Sequence, residues 1–327
     1  EASVAEPLPL RLPEPIVILG GGGFIGANLA RRLILAGYDV RVVDREFFPW
    51  RNAPGASVED CDLRDPEQAR RAIDGARTVF HLAADFGGVG YFHSDADFAA
   101  STDNGRITIN VARACAESPL VERLFYASSA CVYPVELQHI AYPAVKLRED
   151  IIGFGTPDAL YGAEKLQGLR IMAKLPFARV GVLHTVYGPL QEHEGRRMKF
   201  PAAAATKALD ALETGTLELW GDGSQRRSYL YVDDAVDRII EVTAAEHYGG
   251  PVNIGATGAA SCREVAEMCL RIVGASDATI TTNEAEPTGV LGRDCDGRKY
   301  ERYYGAPHQT SLAAGFTKFI DWLKEVR

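Results

Sequence analysis

No stretch of this chain constrains its fold more than Gly20-Gly21-Gly22-Gly23-Phe24-Ile25-Gly26. Before it comes Pro15 to Leu19, a short apolar run that reads as a buried strand. After it, Ile25, Leu29 and Leu33 fall on one helical face that stops at Gly37. Strand, glycine turn and helix in that order form a cradle for a pyrophosphate. The first glycine permits the tight turn, the middle one lets backbone approach the phosphates, and the last lets the helix pack closely on the sheet. The phosphates then meet free N–H groups and the positive end of the helix dipole. Gly20, Gly23, Phe24, Ile25 and Gly26 are therefore expected to hold a cofactor. Asp39 to Asp44 reads as the next strand, and Asp44 stands near the spacing of the acid that binds an adenosine ribose. Its charge repels a 2′-phosphate, so NAD is expected over NADP, with Arg45 softening that preference. The plainer reading of Asp44 is a strand-end cap.

Further strands are expected at Thr78 to Leu82 and Arg123 to Ala127, with a helix around Arg106 to Ala116 between them. Strands alternating with helices imply an α/β fold, a doubly wound parallel sheet of the Rossmann type. The pattern changes after about Gly188. Lys199 to Leu212 reads as an alanine-rich helix, Leu217 to Trp220 as a short strand, and Ser261 with Glu264 as a capping box. The last helix carries Leu312, Phe316, Ile320 and Leu323. The expected division is a dinucleotide-binding domain over 14–185, completed by about 226–250, and a smaller C-terminal α/β substrate domain from 186–225 and 251–327.

Hydrophobic residues make up 46% of the chain, enough for a substantial core, so disorder is excluded. A net charge of -9 argues against nucleic acid or an anionic membrane surface as partner. No apolar run approaches the roughly 20 residues of a membrane span, and Glu1 to Pro15 lacks the pattern of a signal peptide. The six cysteines form no Cys-x-x-Cys pair and no metal spacing, so a cytoplasmic protein with free thiols and no metal is expected.

Tyr161 and Lys165 are four apart, hence on one helical face. An ammonium beside a phenol favours phenolate and makes the tyrosine a general base near neutral pH. Ser129 follows a predicted strand and supplies a hydroxyl to hold the reacting oxygen.

These residues together resemble the extended short-chain dehydrogenases/reductases over nearly the whole chain. The resemblance is carried by Gly20 to Gly26, Asp44, His81-Leu82-Ala83-Ala84, Ser129, Tyr161-Gly-Ala-Glu-Lys165, Val186-Tyr187-Gly188-Pro189 and Arg227-Ser-Tyr-Leu-Tyr-Val-Asp233. It implies a nucleotide-sugar substrate and a homodimer through helices that include Tyr161 to Lys174, although those helices have the plainer reading of a cover for the sheet. It also implies cofactor contacts at Asp62, Leu63, Leu82, Ala83 and Ala84, with Asn104 and Thr108 on the nicotinamide side. Within that family, three stretches are similar to the GDP-mannose 3,5-epimerases: Phe86-Gly-Gly-Val-Gly-Tyr91, Tyr126-Ala-Ser-Ser-Ala-Cys-Val-Tyr-Pro134 and Gly195-Arg-Arg-Met-Lys-Phe-Pro201.

The narrower resemblance implies a GDP-sugar substrate contacted by Gly88, Val89, Ser129, Ala130, Cys131, Thr185 and Lys199. Gln225, Arg227 and Arg293 would grip its diphosphate, Arg226 standing between the first two. Oxidising C4 to a ketone acidifies the C3 and C5 protons, and epimerisation then needs a base on one face and an acid on the other. Cys131 and Lys199 suit that pair. The plainer readings are a small buried hydrophobe for Cys131 and a solvated helix residue for Lys199. Three stretches depart from the narrower pattern and are expected to shape the sugar pocket: Thr185, Gln138 to Asp158, and Leu175-Pro176-Phe177.

Three other readings make different demands on these residues. A 4,6-dehydratase would need Asp-Glu where Ala130 and Cys131 stand. A 4-epimerase of another GDP-sugar needs Ser129, Tyr161 and Lys165 without the Cys131/Lys199 pair. A non-catalytic NAD-binding regulator is a third reading of the same fold.

Overall fold

The computed structural model describes residues 11–92 and 94–327. Residues 1–10, on which most of the expectation about a leader falls, lie outside the described residues. In chain order the first part runs β1 (Ile16–Leu19), α1 (Phe24–Leu35), β2 (Val40–Asp44), β3 (Ser57–Asp60), α2 (Pro66–Ala72), β4 (Thr78–His81), α3 (Val89–Phe92), α4 (Ala96–Glu117) and β5 (Arg123–Ser129). Then come β6 (Lys146–Leu147), α5 (Ala159–Met172), β7 (Ala178–Leu183), β8 (Thr185–Tyr187), α6 (Phe200–Thr214), β9 (Thr216–Trp220), β10 (Arg226–Arg227) and β11 (Tyr229–Tyr231). The chain closes with α7 (Val232–Ala244), β12 (Val252–Ile254), β13 (Ala260–Ser261), α8 (Cys262–Val273), β14 (Thr279–Asn283), β15 (Gly292–Cys295), α9 (Arg298–Tyr304) and α10 (Leu312–Val326).

Seven strands form one parallel sheet in the order β12-β7-β5-β4-β1-β2-β3. Its centre is buried on both faces, as a helix-covered parallel sheet requires, and β1, β4 and β7 are buried throughout. The chain winds outward from β1 to β3, then crosses back to β4. This reversal opens a crevice at the carboxyl ends of β1 and β4, where such sheets bind ligands. One core packs α1 and α7 on the sheet and continues into α6, α8 and α10. The other fills the opposite face, under α2, α4 and α5. The smaller sheets β13-β10-β15-β6 and β14-β9, with the pair β11-β8, carry the later segments.

The strands at 16–19, 40–44, 78–81 and 123–129 lie where periodicity places them. So does α8, whose Ser261 side chain and Glu264 form a capping box. Helix α4 starts ten residues before the expected 106, because polar residues line its inner face. Asp97, Ser101 and Asn104 are buried there, and the Ser101 hydroxyl donates to Asp97 at 3.0 Å. A buried polar face leaves no apolar periodicity to read.

Candidate active site

A cavity of about 850 Å³ lies at this crevice and is lined by the expected catalytic, cofactor and substrate residues apart from Asn104 and Thr108. Its cofactor end is built by the glycine turn. A Cβ on Gly26 would sit 2.3 Å from the Gly20 carbonyl oxygen, so only glycine lets α1 come this close to β1. A Cβ on Gly23 would meet only that same oxygen, at 3.2 Å, and Gly23 lines the cavity. Asp44 accepts from the Gly22 N–H at 3.0 Å and from the Arg45 N–H at 2.8 Å, so it does cap its strand, and it also lines the cavity. Burial raises its pKa, against those N–H donors. Arg45 faces Asp85 at 3.9 Å. Asp62 is held near a pKa of about 2 by the Arg64 guanidinium, which also binds Asp103 at 2.8 Å. Leu63, Leu82, Ala83 and Ala84 complete an apolar wall, with Phe24 and Ile25 at the helix start. A bare backbone turn, a helix N-terminus and an acid at the strand end fit a dinucleotide.

Ser129 ends β5, and its hydroxyl accepts from the Cys131 N–H at 3.2 Å. Helix α5 packs so tightly on this turn that a Cβ on Gly162 would lie 2.3 Å from the Cys131 carbonyl oxygen. That glycine, inside the Tyr-Gly-Ala-Glu-Lys segment, lets α5 close on the turn after Ser129, and Tyr161 and Ser129 line the same cavity. Ala159, at the helix start, takes a positive φ of 60°, a strained conformation for a residue with a Cβ. The Lys165 ammonium is buried 5.7 Å from the Tyr161 ring centre, 5.2 Å from that of Tyr126 and 3.8 Å from the Glu164 carboxylate. Burial alone would discharge it, but Tyr126, Glu164 and Tyr161 hold its pKa above the ordinary lysine value.

Tyr161 departs from expectation. Burial raises its pKa, and the opposing pull of Lys165 does not win. The Phe86 and Phe92 rings sheathe the phenol at 5.4 and 4.8 Å between centres, and Glu164 offsets part of the ammonium's charge. A phenol in such surroundings needs a further positive charge before it works as a base at neutral pH.

Cys131 is half-buried rather than a core hydrophobe, and its sulfur accepts from the Arg293 guanidinium at 3.3 Å. Lys199 stands at the N-cap position of α6, its side chain making no cap bond, and is no solvated residue. By surface it is only partly buried, because it faces the cavity. Its ammonium nevertheless lies 3.3 Å above the Phe86 ring centre among atoms that strip water from it. That desolvation lowers its pKa to about 7, against the attraction of Cys131.

Gly88, Val89, Ala130, Thr185, Gln225 and Arg227 line the same space. Among the described residues Arg227 has no carboxylate at salt-bridge distance. It donates to the carbonyls of Val290 at 2.6 Å and Arg226 at 2.8 Å. Arg226 itself pairs with Glu264 at 3.1 Å. Two expectations fail. Neither Asn104 nor Thr108 lines the cavity: Asn104 is spent on both backbone groups of Asp85, and the Thr108 hydroxyl donates to Glu164. Nor do Leu175-Pro176-Phe177, since Leu175 and Phe177 pack on the core under α5. Of the Gln138 to Asp158 stretch, only Asp158 reaches the cavity.

Sequence reasoning missed Asp158 and Gln138 as partners of Arg293, and Phe86 as the ring between Lys199 and Tyr161. Phe86 opens the Phe86 to Tyr91 stretch, which carries part of the narrower resemblance. Glu164 stood inside the Tyr161 to Lys165 segment, where a carboxylate next to a buried lysine was a readable signal. Among the described residues no three metal-ligating side chains converge, and no helix is long and apolar enough to cross a membrane.

The pattern of the NAD dependent epimerase/dehydratase family matches residues 16–255. GDP-mannose 3,5-epimerase of Arabidopsis thaliana is 33% identical over 324 residues, which cover 95% of this chain and 82% of that one. The UDP-glucose 4-epimerase of Thermotoga maritima, solved with UDP-glucose, superposes with a TM-score of 0.80 at 23% identity, over 95% of this chain and 99% of that one. MoeE5, solved with UDP-glucuronic acid and NAD, gives a TM-score of 0.75 at 26% identity, over 96% of this chain and 100% of that one.

Proposed function

This chain belongs to the NAD dependent epimerase/dehydratase family, enzymes whose cofactor is NAD, and we propose that it epimerises a GDP-sugar in the manner of a GDP-mannose 3,5-epimerase. One observation carries this reading. Cys131 and Lys199 share a single cavity with Ser129, Tyr161 and Lys165, and the Cys131 sulfur lies within electrostatic reach of both Lys199 and Tyr161. A simple 4-epimerase has no use for that pair. The likeness to an Arabidopsis enzyme of that name supports the same reading.

Gly20 to Gly26 and Asp44 would hold the NAD, which supplies positive charge and a reversible hydride acceptor. Ser129 holds the sugar O4 while Tyr161 takes its proton, and Lys165 keeps positive charge beside the phenol. The resulting C4 ketone makes the C3 and C5 protons removable. Cys131 and Lys199 remove and return them from opposite faces, and the ketone is reduced again with no net redox change. An amine with a pKa near 7 exchanges protons efficiently at neutral pH. Arg227, short of a carboxylate partner, receives the diphosphate with Gln225 beside it. In this reading 186–225 and 251–327 form the substrate domain, apart from β12, which pairs with β7 in the large sheet.

Incubation with GDP-mannose in heavy water tests the proposal. NMR is expected to find deuterium at C3 and C5 and a galactose- or gulose-configured sugar. Inversion at C4 without such exchange would instead make the chain a 4-epimerase.

We also read the protein as a cytoplasmic homodimer. Six free thiols suit a reducing compartment. Phe98 and Ile109 on α4 and Leu160 on α5 are exposed apolar residues on neighbouring helices, a surface suited to a second copy. Sedimentation is expected to give twice the 35.5 kDa chain mass, and Ile109→Glu with Leu160→Glu to return the monomer. A wild-type monomer at micromolar concentration would end this reading.

A further inference from the structure

Arg293 was expected to grip the substrate diphosphate, but each nitrogen of its guanidinium already donates within the protein. One terminal nitrogen reaches the Cys131 sulfur at 3.3 Å, the other the Asp158 carboxylate at 2.6 Å, and Nε the Gln138 side-chain oxygen at 2.7 Å. The arrangement is rigid. Arg293 and Gln138 are buried, and Gln138 donates in turn to the carbonyls of Tyr133 and Pro134. Asp158 also fixes the cysteine backbone, since its N–H donates to the Cys131 carbonyl at 2.8 Å. One residue thus ties down both the thiol's main chain and the cation that faces the thiol.

We propose that Asp158 and Gln138 are positioning residues that lock Arg293 onto Cys131, so that this guanidinium serves the thiol while Arg227 is left for the diphosphate. This rests on the reading of Cys131 as a proton-transferring group. When a thiolate takes a proton from the carbon beside the ketone, an S–H bond forms, the C–H bond breaks, and its electron pair enters the enolate. A fixed cation at the sulfur stabilises the thiolate that begins this transfer and that forms again when the thiol returns the proton. Lys199 and Tyr161 also face Cys131, while Arg227, His184 and Asp158 face Arg293. Among these groups only Arg293 is hydrogen-bonded to the sulfur.

The test is the rate at which iodoacetamide labels Cys131 in the NAD-loaded full chain, read by mass spectrometry of its peptide across pH. Arg293→Gln and Asp158→Asn are expected to slow labelling at pH 7 about tenfold. Asp158→Glu is expected to keep most of the rate, with NAD affinity close to wild type in all three. Unchanged labelling in Arg293→Gln, with KM for the GDP-sugar raised and kcat intact, would overturn the proposal and return Arg293 to the diphosphate. Labelling uses no sugar. An altered labelling profile without any deuterium exchange in the wild type would therefore sink the epimerase reading while leaving the thiol assignment standing.

Discussion

Tyr161→Phe is expected to lose turnover by about 10²- to 10⁴-fold while NAD binding and Tm stay near wild type. The ring remains between Phe86 and Phe92 and only the hydroxyl is lost, so packing changes little. With no proton acceptor for the sugar hydroxyl, oxidation at C4 stops and every later step stops with it. Lys199→Met gives the informative contrast. The thioether has nearly the same length and keeps its place over Phe86. Oxidation at C4 is then expected to survive, visible as NADH absorbance on adding GDP-mannose, whereas deuterium exchange at C3 and C5 falls by a similar two to four orders of magnitude. Loss of both signals in Lys199→Met would place Lys199 with Tyr161 in the oxidation step and remove it from the acid/base pair.

The second large effect is at the cradle, where two glycines three residues apart should fail for different reasons. In Gly26→Ala the new methyl meets backbone, 2.3 Å from the Gly20 oxygen and 2.7 Å from the Gly21 Cα, and neither can yield without moving α1 off the sheet. Overpacking of this kind costs about 1–3 kcal/mol. Tm should fall, and NAD affinity should drop by about two orders of magnitude as the helix N-terminus leaves the phosphates. Gly23→Ala meets only the Gly20 oxygen, at 3.2 Å, in a backbone conformation with φ of -80° that any residue adopts. It should unfold at nearly the wild-type temperature and still lose NAD, because its methyl stands in the cavity. Thermal unfolding with NAD titration calorimetry separates the two. Equal losses of Tm in both variants would mean that Gly23 is a packing residue and not part of the cradle.

The sequence by itself determined what is local. Glycine positions relative to a strand and a helix, Asp44 at the end of the next strand, Tyr161 and Lys165 one turn apart, and the Ser261 capping box are all set by spacings of a few residues or one βαβ unit. Period and turn chemistry fix such features before any packing occurs. Helix α4 shows the limit of that method, since its buried Asp97, Ser101 and Asn104 make a core face look like a solvated one.

Tertiary structure alone decided what depends on distant residues meeting and on how much water they keep. Arg293 is 162 residues from Cys131 and 135 from Asp158, separations at which no periodicity relates two side chains. The Gln138 to Asp158 stretch departs from the narrower family pattern, yet its two end residues hold the guanidinium. Burial set the signs at the proton-transferring groups. It raises Tyr161 despite its lysine and brings Lys199 down to about 7. A side chain's type fixes which proton it can carry; its desolvation, which only the folded chain creates, fixes the pH at which it lets that proton go.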